Sequence, residues 1–168
     1  MTMMAEVGKP AAGGAVDRAR TYETLGILMR FRVFPDEVMG KYCVVDALVP
    51  AGLGAPPNRH AGESESFVVI AGAVDFMLDG ETRRLAAGDE VVVPDGALHA
   101  FAAVGPEPAR ILIVNAPGEM HVRFFTELGR AVPDETRAPA PLDGPPDIAR
   151  VLAVGTEVGM SFPGPAPA

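Results

Sequence analysis

The sequence predicts an antiparallel β-barrel or sandwich with one or two helices after it. Three observations carry this reading. Short apolar runs recur at near-regular spacing from Tyr22 onward, each bounded by Gly, Pro or Asp. Asp79-Gly80 separates two of them, a strong hairpin signal because both residues tolerate positive φ. After Pro117 the apolar spacing shifts from alternation to a helical period of about 3.6 residues.

The elements follow in order. Residues 1–20, rich in Ala and Gly, read as a loose arm. Strands are expected over 24–34, 41–49, 66–71, 73–78, 82–85, 90–93, 98–104 and 110–115, punctuated by Gly72, Gly88 and Pro94-Asp95-Gly96. Val122, Phe125 and Leu128 share a helical face that Gly129 and Pro133 end. A Pro-rich link over 138–146 leads to a second helix that opens at Pro146-Asp147, with Ile148, Val151 and Leu152 on one face. The plan is an arm (1–20), a barrel (21–116), and helices with a Pro-rich tail packed on the barrel (117–168).

Composition narrows the function classes. A formal charge of −8 argues against nucleic-acid binding, which needs clustered Lys and Arg to meet phosphates. The single cysteine, Cys43, can form neither an internal disulfide nor a Cys-rich zinc site, and its apolar run makes it a small core hydrophobe. The N-terminal residues hold no apolar signal region, and no stretch has the length of a membrane span. A cytoplasmic protein with a small-molecule partner is expected, and neither nucleic acid nor membrane.

Chemistry concentrates in two segments. The first runs Gly52-x5-Asn58-x-His60-x4-Glu65-x6-Gly72, and the second Gly88-x5-Pro94-x-Gly96-x2-His99. Alternation along a strand points Asn58 and His60 the same way, aligns Glu65 with Phe67 and Val69, and aligns His99 with Phe101. Imidazoles and a carboxylate converging inside a barrel form a ligand set for a divalent transition metal. Phe67, Val69, Met77 and Phe101 are candidates for an apolar substrate pocket beside it, and a carboxylate such as Glu65 in a dry pocket is expected to have a raised pKa and to act as a base. Glu63, in a polar turn, reads as solvated, and His121, near the start of the first helix, as a surface residue.

These two spacings closely resemble the paired motifs of the cupin superfamily. The resemblance extends over about 22–164 to small single-domain bacterial cupins of the quercetin-dioxygenase-like group, whose tails share Phe124-Phe125, the prolines from Pro139 to Pro146, and Gly164-Pro165. It implies a jelly-roll-like cupin barrel, and a homodimer, since small cupins often pair through sheet edges. It places Asn58, His60, Glu65 and His99 at the four metal-ligand positions for one Fe, Mn, Ni, Co, Cu or Zn ion. Two positions depart from the family: Asn58 stands where the first histidine belongs, and Ala103 where the second motif ends in Asn. An amide oxygen is a poorer donor than imidazole to such metals, so the site is expected to be weakened, altered or empty. His60, Glu65 and His99 remain, the ligand types of the two-histidine, one-carboxylate triad. The implied activity is a dioxygenase or oxygenase on a phenolic or enolic substrate, with His60, Glu65 and His99 as catalytic residues. The alternatives are a metal-free cyclase, isomerase or lyase using the same three groups, and a non-catalytic binding protein.

Overall fold

The computed structural model describes residues 18–163. The first seventeen residues of the expected arm and the pair Gly164-Pro165 lie outside the described residues.

The strands are β1 (Thr21–Thr24), β2 (Ile27–Val33), β3 (Cys43–Val49), β4 (Gly54–His60), β5 (Ser64–Ala71), β6 (Ala73–Leu78), β7 (Glu81–Ala86), β8 (Glu90–Val93), β9 (His99–Val104), β10 (Ala109–Ala116), β11 (Arg130–Val132) and β12 (Met160–Ser161). Helix α1 spans Glu119–Leu128 and α2 spans Ile148–Val158. All strand pairings are antiparallel and form two sheets, ordered β11-β1-β2-β3-β10-β5-β8 and β12-β4-β9-β6-β7. No helix among the described residues is long and apolar enough to cross a membrane.

Alternation sets the barrel's inside. In β3 the residues Cys43, Val45, Ala47 and Val49 are fully buried while their neighbours are half-buried. In β10 Ala109, Ile111 and Ile113 do the same. Phe31, Phe67, Phe76 and Phe101 add large apolar surfaces to this core, each contributing on the order of 2 kcal/mol by burial. Cys43 sits in it as expected, and burial pushes its thiol up to about 11, far from reactive.

The structure departs from the expected elements in three places. The run 24–34 holds the single strand β2, and a strand before it, β1, ends at Thr24 because the chain reverses at Leu25-Gly26. β4 was hidden by Pro56-Pro57, which cannot donate to a ladder; its register with β9 holds at Gly54, Ala55 and Asn58 and shifts between Ala55 and Asn58. The segment after residue 116 does more than pack outside: β11 extends one sheet beside β1, and β12 extends the other beside β4. Its helices pack on each other and close one end of the barrel, where Phe124, Phe125 and Val151 meet strand residues around a cavity.

Candidate metal centre

The site lies where β4, β5 and β9 present their inward residues near that end. Asn58 and His99 are direct partners across β4 and β9. Glu65 is the first inward residue of β5, opposite Val93 of β8 and Asn115 of β10. Sheet register therefore brings His60, Glu65 and His99 together. His60 Nε2 lies 3.1 Å from Glu65 Oε2, and His99 Nε2 lies 2.8 Å from the same oxygen.

A third imidazole completes the cluster. His121, on the first turn of α1, is buried rather than at the surface, and its Nε2 lies 3.1 Å from the other oxygen, Glu65 Oε1. Its Nδ1 contacts Glu63 Oε2 at 2.6 Å. Glu63 is only 3% exposed, not solvated, and its Oε1 accepts hydrogen bonds from the N–H groups of Gly118 and Met120 at 2.7 and 2.9 Å. One carboxylate thus satisfies free donors at the start of α1 and orients the histidine that follows. Gly118 makes this possible. Its φ is +98°, and a Cβ there would stand 2.6 Å from the Cys43 backbone nitrogen.

Both missed residues left weak traces in the sequence. Glu63 has the same strand parity as Glu65, two residues on. His121 precedes Phe124 and Phe125 by three and four residues, so it shares their buried helical face.

The electrostatics reverse one expectation. Burial alone would raise the Glu65 carboxyl, but the charge and hydrogen bond of His121, with hydrogen bonds from His60 and His99, hold it well below the usual carboxylate range. Burial disfavours the His121 cation, yet Glu65 and Glu63 outweigh it and bring the ring up to about 9. Burial likewise opposes the Glu63 anion, and the bond from His121 brings it down. Glu65 is therefore ionised at neutral pH, able to accept hydrogen bonds or to hold a cation.

The donor set fits a transition metal. Ligand atoms of His60, Glu65 and His121 lie within 4.8 Å of one another, and all three residues are buried. His99 Nδ1 meets the Ala97 carbonyl at 3.0 Å, so the ring is held by one nitrogen and offers the other to the centre. His121 is held the same way through Glu63, the outer-partner arrangement typical of metal-bound histidine. His60 Nδ1 has no hydrogen-bond partner. Asn58 borders the same cavity, but its amide nitrogen donates to the carbonyls of Pro56 and His99 at 3.0 and 3.3 Å, with no bond to Glu65.

The cavity beside the cluster has a volume of about 260 Å³. Phe67 and Phe101 line it as expected, but Val69 and Met77 do not. Val69 is buried two inward positions beyond Phe67's neighbour Glu65, toward the Gly88 turn, whose N–H bonds its carbonyl. Met77 alternates with the buried Val74 and Phe76 and so lies on the other face of β6.

The cupin domain family profile matches residues 45–115. An uncharacterized protein of Methanocaldococcus jannaschii is 26% identical over 62% of this chain and 86% of its own length. The chain spans less than half of the larger curated relatives that it also matches. Among solved structures, a predicted oxalate decarboxylase from Thermotoga maritima superposes with a TM-score of 0.55 at 20% identity, covering 61% of this chain and 98% of that one. An RmlC-like cupin from Shewanella frigidimarina gives 0.54 at 17% identity, covering 62% and 89%.

Proposed function

Because this chain is a small cupin, with the domain match over 45–115 and the two-sheet barrel to go with it, we propose that it is a metal-dependent enzyme. It acts on a small organic substrate with an ionisable oxygen, an enol or a phenol, most simply as an oxygenase. The observation behind this reading is the convergence of three imidazole nitrogens on the two oxygens of Glu65, at 2.8, 3.1 and 3.1 Å.

His60, Glu65, His99 and His121 would hold the metal. A divalent transition ion supplies Lewis acidity that lowers the pKa of a substrate O–H. Glu63 keeps His121 Nε2 facing the centre. Asn58 spends its NH₂ on backbone carbonyls, which leaves Oδ1 to accept a bond from a substrate hydroxyl. The apolar wall excludes water and strengthens each charge interaction inside. A second reading has its own support: Glu63, His121, Glu65, His60 and His99 are in unbroken contact, an arrangement suited to proton transfer without a metal.

Elemental mass spectrometry on tag-free protein, paired with oxygen uptake over simple phenols and enols, tests the proposal. Near-stoichiometric metal, with uptake lost on chelation and restored by the same ion, is the expected result. Turnover that survives chelation would transfer the site to proton-transfer chemistry. Stoichiometric metal without oxygen uptake would remove the oxygenase assignment.

A further inference from the structure

The cavity has one polar end and no second one. Its polar lining is Asn58, Glu65, His99 and His121 at the cluster, plus Thr24, whose hydroxyl is already bonded to the Phe125 carbonyl at 2.9 Å. Everything else that lines it is apolar, including Met29, Phe67, Phe101, Phe124, Val151 and Phe162. Among the described residues, no Lys, Arg or Asp lines it.

Much of the outer wall comes from beyond the domain match. Leu142 and Pro146 of the Pro-rich link, Ile148 and Val151 of α2, and Phe162 after β12 all border the cavity. Phe162 reaches its place because residue 155 is glycine: a Cβ there would lie 2.5 Å from the phenyl ring. Leu142 and Ile148 are 46% and 58% exposed, so they form the mouth.

We infer that this cavity takes a ligand with a single oxygen head and an uncharged, apolar body of one or two rings, and that the C-terminal wall rejects ligands charged at the far end. The inference rests on the proposed centre only for the anchoring of the oxygen head. At about 260 Å³ the cavity is below the roughly 300–1,000 Å³ of common ligand pockets, which sets the size. A charge on the distal end of a ligand small enough to stay behind the Leu142 and Ile148 mouth would lose part of its water against Phe124, Val151 and Phe162, with no counter-ion among the lining residues. Oxalate, which one structural neighbour's name mentions, brings two charges and no apolar body, and so fits poorly here.

Two probes with the same rings and hydroxyl separate the outcomes: 2-naphthol, and 6-hydroxy-2-naphthoate, which adds a carboxylate opposite the hydroxyl. Calorimetric titration at pH 7.5 is done on the protein as purified and after chelation. The expected result is 2-naphthol binding at least about 30-fold tighter than its carboxylated partner. Ile148→Arg, an exposed substitution at the mouth, should narrow that gap about tenfold by giving the carboxylate a partner. Equal affinity for the two probes, or no binding of either, would overturn the inference. A gap that persists equally after chelation would uphold the wall and count against the metal as anchor, so the two readings fail separately.

Discussion

The barrel strands and the segment after residue 116 build one cluster by different means. Glu65 and His99 are placed by barrel ladders, β5 with β8 and β10 and β9 with β4 and β6, while His60, at the end of β4, is paired with Met160 of β12. His121 is placed by a single carboxylate, Glu63, and by the close approach of Gly118 to β3. The first half is over-determined and the second hangs on few contacts. Damage to the second should therefore change the site while the barrel stays folded.

The largest effect is expected where the halves meet. Glu65→Ala removes the group that all three imidazoles contact and leaves the His121 cation buried without its main partner. Metal should no longer co-elute in gel filtration, and urea titration of the metal-free protein should show a loss of about 3 kcal/mol. Gly118→Val should come next, because the new side chain must push α1 off Cys43 at a positive φ. A loss of about 2 kcal/mol is expected, with hydrogen exchange accelerated in α1 and unchanged in β3 and β10. Glu63→Gln should cost about 1 kcal/mol, because its NH₂ would face the His121 N–H that the carboxylate accepted, and weaken metal binding roughly 10- to 100-fold in chelator competition.

The smallest effect belongs to the outer face of the barrel. Asp46 accepts bonds from Arg110 at 2.9 and 2.7 Å and from Arg32 at 3.2 and 2.5 Å. The Arg110 bonds lead in bringing its pKa from 3.8 down to about 2; burial opposes them, and Arg32 assists. A lowered pKa stabilises the fold above the unfolded value, and that contribution fades as pH falls from 3.8 through 2. Asp46→Asn should cost about 1 kcal/mol at pH 6 after solvent screening, only a small fraction of that at pH 2, and leave metal affinity unchanged.

The fold was legible because turn glycines and alternating apolar residues are local signals. The motif spacings identified His60, Glu65 and His99 for the same reason: register converts spacing along the chain into proximity. β4 was obscured by Pro56-Pro57, which is tolerated where the register shifts. His121 and Glu63 look like surface residues in the sequence because their contact joins positions 58 apart, and no local spacing encodes it. The direction of the Glu65 pKa also needed its partners, since burial and three imidazoles pull it opposite ways. Met77 fell to parity, which a single slip between β5 and β6 reverses.

On the proposed function, His121 takes the place of the histidine absent at Asn58. It is tested most directly by cobalt(II) affinity, read from visible absorption, in wild type, His121→Ala, and Asn58→His combined with His121→Ala. A loss of roughly 100-fold or more is expected in His121→Ala, with most of it recovered when histidine is placed at position 58. Wild-type affinity in His121→Ala would contradict it.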